Sequence, residues 1–378
     1  MALSPATIGV VVALYALLWL IWHGPALPWS RLYRTPLAVL IALVAGLGVL
    51  SASWSIVPLL SHHQALKFAL VMWPLAIWSG VMRASALSQR AACALLLGFM
   101  LGVVLLAIQV FGDFVFRAWL VGAMKVPAAI KLNVPVAAFS ILIWIVPALL
   151  TTRQWALGWR VSAIGALALC AGLIIDGDGT APKLALGVGS GIWLVAHRWP
   201  RLVRYGIAAG VLSFHVLSLT VPSAVYARPT LMTQIPDVSV RHRIDVWARI
   251  DQLIRIRPWL GYGLASSSKI PPSAELSTVT GQPRHIPLYP HNVVLQAQLE
   301  LGVPGVIAFY SALGLALRGS FRAARAVQPA MFAMLSATLS IWCVGYPLWR
   351  STWIVWLAYC AITISFAHGA RGAIEHPH

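Results

Sequence analysis

Runs of Leu, Ala, Val, Ile and Trp follow one another along most of the chain, each about 17–20 residues long, the length a helix needs to cross a hydrocarbon core of about 30 Å. They fall near residues 6–22, 37–53, 65–82, 91–111, 134–150, 161–175, 183–197 and 205–222, then 296–317, 330–347 and 351–367. This pattern predicts about eleven membrane-spanning helices, and a twelfth fits within 112–133. The runs do not alternate apolar and polar residues with period two, so a barrel is not expected. One polar interruption, from about Pro222 to His291, breaks the series. The chain therefore divides into an N-terminal membrane part, 1–222, with about eight helices, a large extramembrane loop, 223–291, and a C-terminal membrane part, 292–378, with about three helices and a short tail.

Composition sharpens this into a class. Of 378 residues 60% are hydrophobic and 10% charged, against about 25% charged in an ordinary soluble domain. The expected fold is an all-α polytopic membrane protein. Met1 to Pro5 brings no basic residue before the first apolar run and no small-residue cleavage site follows it, so a first span is expected rather than a removed signal peptide. Cys93, Cys170, Cys343 and Cys360 lie inside apolar runs without metal-ligand or redox spacing and read as small core residues. Asp176 and Asp178 read as a polar turn, since two carboxylates seldom hold a metal.

The net charge of +18 would point to nucleic acid in a soluble protein; in a polytopic one it first sets orientation. Arg31, Arg34, Arg83, Arg90, Arg153, Arg160, Arg198, Arg201, Arg204, Arg318, Arg322, Arg325 and Arg371 fall on one alternating set of short loops and the tail, which places that set in the cytoplasm. The large loop then lies outside the cytoplasm. It carries Arg228, Arg241, Arg243, Arg249, Arg255, Arg257, Lys269 and Arg284, and Lys67, Arg117, Lys125, Lys131, Lys183 and Arg350 lie on or near the same side. Guanidinium and ammonium groups in such density suit an anionic, lipid-linked ligand, with contact to membrane headgroups as the alternative. No nucleic-acid partner is expected.

Within the loop, residues 241–257 place Ile244, Trp247, Ile250 and Ile254 at helical spacing, with Asp245/Arg249 and Asp251/Arg255 as i,i+4 pairs. An amphipathic helix lying on the membrane surface is expected. Pro258 ends it, and Gly261 and Gly263 mark a turn that needs positive φ or close backbone approach. Residues 265–290 are rich in Ser and Pro without helical period and read as a flexible cover. His291 follows Pro290 and opens a further helix with Asn292, Gln296 and Glu300. A neutral imidazole at that mouth can accept a proton; a capping or interfacial role is the alternative. Glu300, one turn further into lipid, needs a partner, and an arginine is the expected one.

The pattern His291-Asn292-x-x-Leu295-Gln296-x-x-x-Glu300-x-Gly302-x-x-Gly305, preceded by Arg243-x-x-x-Trp247 and by Arg257-Pro258-x-x-Gly261-x-Gly263, resembles the O-antigen ligase and polymerase superfamily. These motifs cover about 65 residues in the family's order. The resemblance implies transfer of a glycan from undecaprenyl pyrophosphate to an acceptor at the periplasmic face of a bacterial inner membrane, without cofactor or metal. It implies Arg243 at the pyrophosphate and His291 as base or acceptor-positioning group. Lys183 stands where the family has an arginine, and it lacks the planar fork. Arg241, Lys125, Lys131 and Asn292 are further candidates for substrate binding; Gln296, Glu300, Trp247, Gly261 and Gly263 are expected to support the site.

The ligase of that family joins O-antigen to the lipid A core, which completes lipopolysaccharide. A polymerase acting on the same donor, a protein-glycosylating ligase and a lipid-linked glycan transporter are alternatives. The expected partners are undecaprenyl-pyrophosphate-linked O-antigen, the lipid A core oligosaccharide and membrane lipids, with the protein acting as a monomer.

Overall fold

The computed structural model describes residues 35–82, 89–112, 128–152, 154–277, 279–287 and 289–349. Among these the chain is helical apart from turns, one 3-10 segment at Ser267–Lys269 and an isolated antiparallel bridge between Leu276 and Pro283. The helices are α1 Pro36–Ser51, α2 Pro58–Met82, α3 Gln89–Phe111, α4 Ala128–Leu142, α5 Ile145–Thr152, α6 Leu157–Asp176, α7 Thr180–Arg198, α8 Pro200–Tyr226, α9 Pro229–Gln234, α10 Val238–Ile256, α11 Val293–Arg322 and α12 Gln328–Val344. The expected spans at 6–22 and 351–367, and Lys125, lie outside the described residues.

Among the described residues, five stretches are long and apolar enough to cross a membrane: Gln89–Phe111, Asn133–Thr151, which joins α4 to α5, Leu157–Asp176, Pro200–Tyr226 and Val293–Arg322. Shorter apolar helices occur at Pro36–Ser51 and Gln328–Val344. Large apolar side chains such as Leu70, Phe111 and Leu157 point outward, the arrangement of helices solvated by lipid rather than water. The protein is an all-α polytopic membrane protein.

One core joins α3 through α8 to α11 and α12, around Phe139, Ile174, Val293 and Phe332. A second joins α1 and α2 to Leu264, Leu301 and Trp349. The pairing of α7 with α12 is the most extensive. On α7, Gly189 leaves room for the Trp144 ring from the junction of α4 and α5, which a Cβ there would meet at 2.6 Å.

Helix α10 departs from expectation. It starts at Val238, capped by Asp237 Oδ1, which accepts from the backbone N–H of Ser239 at 2.7 Å and of Val240 at 3.0 Å. Its apolar face, Val246, Ile250, Leu253 and Ile254, packs on Tyr262, Ile270, Ile286, Leu295 and Leu299. That stripe is thus covered by the protein itself and is not available to rest on a membrane surface. The Asp251–Arg255 pair forms at 3.0 Å, but Asp245 does not pair with Arg249. Asp245 is buried and receives Arg284 Nε at 2.6 Å, while Arg249 reaches Gln252.

Arg284 is 1% exposed. It also donates to the Asp245 carbonyl at 2.8 Å and to Glu275 at 2.9 Å, and stacks 3.9 Å over the Tyr226 ring. The segment 265–290, read from its Ser and Pro content as a flexible cover, is therefore fastened at its middle to α10. The bonds Ser273 N–H to Arg284 O and Arg284 N–H to Glu275 O fold its tip back on itself. Arg284→Ala is expected to destabilise this region by about 3–5 kcal/mol, because it strands Asp245 as a buried, unpaired charge. Limited proteolysis checks it, with cleavage between residues 271 and 287 appearing in the variant at protease levels that leave the wild type intact.

Candidate active site

The site begins with the turn after α10. Pro258 stops that helix, and the chain then lies against the backbone of α11: Tyr262 N–H donates to Leu299 O at 3.0 Å, Gly263 N–H to Glu300 O at 2.8 Å, and Val303 N–H to Pro258 O at 3.2 Å. These bonds require backbones in contact, so side chains have to be absent. Gly261 has φ +66 and a Cβ there would lie 2.5 Å from Leu299 O; Gly302, where α11 kinks, has φ +62 and its Cβ would lie 2.2 Å from Trp259 O. The glycines of both motifs thus form one interlock. Gly302→Ala combines a left-handed penalty of about 1–2 kcal/mol with an overlap costing about 1–3 kcal/mol. A loss of several kcal/mol is expected, read as a lower melting temperature in detergent.

Beyond the interlock, Glu300 is wholly buried. Among the described residues no arginine meets it, where the sequence led one to expect such a partner. Instead Oε2 accepts from Ala265 N–H at 2.7 Å and Trp349 Nε1 at 2.5 Å, while Oε1 accepts from Ser267 Oγ and from Gln296 Nε2 at 3.0 Å. Four neutral donors supply the stabilisation that an ion pair would otherwise give. Gln296 Oε1 in turn accepts from Leu348 N–H at 2.9 Å.

Asn292 is the N-cap of α11: Oδ1 accepts from Val294 N–H at 3.1 Å and Leu295 N–H at 3.2 Å, and Nδ2 donates to Ser218 Oγ at 3.0 Å. At 1% exposure its side chain is occupied in holding the helix start, where a substrate contact was expected. His291 therefore precedes the helix rather than opening it. It adopts φ +57, unusual for a residue with a side chain. Trp247 Nε1 donates to Pro290 O at 2.8 Å, which fixes the peptide just before it.

His291 Nδ1 lies 3.2 Å from Gly345 O. A carbonyl only accepts, so Nδ1 carries the hydrogen and Nε2 keeps its lone pair. Burial drives the His291 pKa down from its ordinary 6.5 to about 4, the Arg243 cation adds to this, and the Gly345 bond opposes it. The ring lies 4.4 Å from that of Tyr289. Arg243 binds the adjacent carbonyl: Nε donates to Val344 O at 3.2 Å, and Nη1 donates to Ser239 Oγ at 2.7 Å. The guanidinium is half-buried, its pKa lowered mainly by burial, and no described carboxylate pairs with it.

His291 and Arg243 thus meet on the last carbonyls of α12, which have no partner within their own helix. The two side chains come from segments about 50 residues apart in sequence and converge there through α12, which the sequence did not mark as part of the site. His242, half-buried beside Arg243 and His285, has its pKa lowered by burial. Arg241 is half-buried with Nε unpaired. The first turn of α7 reaches the same place: a Cβ on Gly345 would lie 3.3 Å from Ala181 Cβ, and Lys183, two residues on, is exposed. The start of α4, which carries Lys131, lies alongside, with Asn133 Oδ1 3.2 Å from where a Gly179 Cβ would be. Asp176 and Asp178 are both exposed at the α6–α7 turn.

Residues 164–310, which contain the interlock, Arg243, His291 and Glu300, match the family model described as O-antigen ligase. Over that segment the chain is similar to the O-antigen ligase family. Its relatives include a "Putative polysaccharide ligase" of Rickettsia felis, 28% identical over 231 residues, which cover 58% of this chain and 54% of the relative. The protein of that name from Rickettsia conorii is 33% identical over 143 residues, 36% of this chain and 34% of the relative. One from Rickettsia typhi is 27% identical over 232 residues, 58% of this chain and 54% of the relative. The chain thus spans about half the length, or less, of the curated relatives it matches.

Proposed function

We propose that the protein is an inverting glycosyltransferase of the O-antigen ligase kind, moving a glycan from undecaprenyl pyrophosphate to the lipid A core at the periplasmic face of the inner membrane. The observation that carries this reading is the pairing of a proton acceptor with an unpaired cation on one carbonyl edge. An acceptor hydroxyl oxygen attacks the anomeric carbon from the face opposite the leaving group and bonds to it. The bond from that carbon to the pyrophosphate oxygen breaks, and its electron pair leaves with the lipid pyrophosphate. The hydroxyl proton passes to His291 Nε2 and later to water. Arg243, with Arg241 and Lys183 nearby, offsets the charge that grows on the leaving group.

The leaving pyrophosphate needs little protonation, so the step requires no second carboxylate of the glycosidase type. What favours the ligase over the polymerase is the likeness of residues 164–310 to the O-antigen ligase family. Purified protein incubated with lipid-linked glycan and lipid A core should yield core-attached glycan. Longer lipid-linked chains with no core attachment would replace the ligase with the polymerase, and no transfer at all would remove the enzymatic reading.

A further inference from the structure

The carbonyls that hold His291 and Arg243 lie where a helix gives way to irregular chain. Val344 ends α12, and Gly345, with φ −135 and ψ −43, is its non-helical cap. A glycine in that place has the widest choice of backbone angles, so the direction of its carbonyl has to be set by the next residues of the chain. These are Tyr346 to Trp349, a short run pinned at its far end. Leu348 N–H is held by Gln296, Trp349 Nε1 by Glu300, and Trp349 O by Gln64 Nε2 at 2.9 Å from α2. Gln296 itself is aligned by Glu300 at 3.0 Å. Both bonds from α11 to the run therefore lead back to one carboxylate.

We infer that Glu300 is a positioning residue: acting through Trp349 and Gln296, it aims the Val344 and Gly345 carbonyls and so fixes the ring hydrogen of His291 on Nδ1 and the guanidinium of Arg243. This rests on the proposed role of His291 as proton acceptor. The alternative is that Glu300 only joins helices, like any satisfied buried polar group. The two differ in one respect. A simple tie would leave the His291 tautomer as it is once the protein is folded, whereas a positioning group would change it. Ser267 separates them further, because it bonds Glu300 from the cover and lies off the route to Gly345.

Nitrogen-15 NMR of histidine-labelled protein in detergent, with His291 assigned by its loss in His291→Asn, reads the tautomer directly. In Glu300→Gln and Trp349→Phe the Nδ1–H form of His291 should give way to a mixture with Nε2–H, and kcat should fall on the order of 10- to 100-fold, the usual effect of misplacing a reacting group by about 1 Å. Ser267→Ala should keep the wild-type tautomer. An unchanged His291 spectrum in both folded variants overturns the inference. If Glu300→Gln does not fold, Trp349→Phe, which removes a single bond, decides alone. Absence of glycan transfer by the wild type would defeat the functional reading, while the tautomer comparison would still decide the role of Glu300.

Discussion

Replacing His291 by asparagine is expected to lower kcat for glycan transfer by about 10²–10⁴-fold, the range for loss of a general base. Asparagine is the informative choice because it tolerates the positive φ that His291 adopts, whereas alanine adds strain to the loss of the ring. The pH dependence is the sharper test. With a pKa of about 4, the imidazole of the free enzyme is neutral throughout the working range, so kcat/KM should stay flat down to about pH 4. Bound pyrophosphate places negative charge beside the ring and raises its pKa. The acid limb of kcat should therefore sit at higher pH than that of kcat/KM. Coincident limbs, or a variant with wild-type rate, would remove His291 from the proton transfer.

The same shift fixes a stability trend. The folded state holds the ring neutral, while the unfolded chain binds a proton below its ordinary pKa of 6.5. Stability is thus lost as pH falls from 6.5 toward about 4 and changes no further from this source below that. His291→Asn should flatten the melting temperature across that window. No other measurement separates the ring's charge from its packing so directly.

The parts of this molecule that were legible in the sequence are those set by short-range rules. Apolar runs gave α3, α6, α8 and α11 because lipid demands such runs whatever the fold, and Pro258 ends α10 by its ring geometry, whereas the start of α10 at the Asp237 cap lies ahead of the expected residue 241. Gly261 and Gly263 announced a tight place, and their left-handed angles and close approach depend on the missing Cβ. The long-range polar pairs could not be read in this way. Asp245 has Arg249 four residues on, and that local match hid its partner Arg284, 39 residues away. Glu300 invited an arginine, but buried amide, hydroxyl and indole donors satisfy it equally well and carry no charge to notice. The carbonyls of Val344 and Gly345 carry no side-chain signal at all. They enter the site because a helix end leaves acceptors unpaired, which is a property of the backbone.

Arg243→Ala is expected to raise the KM for the lipid-linked donor by about 10- to 150-fold, the equivalent of about 1.5–3 kcal/mol for a hydrogen bond to a charged group. Arg243→Lys should recover only part of this. The guanidinium can bond Val344 O and Ser239 Oγ and still direct N–H groups at an anion, because its donors diverge in one plane. An ammonium placed to reach Val344 O has no fixed second direction. If charge alone mattered, the lysine variant would match the wild type and its donor KM would show the same rise with salt; a full recovery would sink the geometric role. Because Arg243 and His291 rest on successive carbonyls of one helix end, their losses should not add. In a double variant the combined cost should fall short of the sum of the single ones, as for groups that share a support. Strict additivity would mean that each side chain is placed independently, and the common carbonyl edge would then be incidental to catalysis.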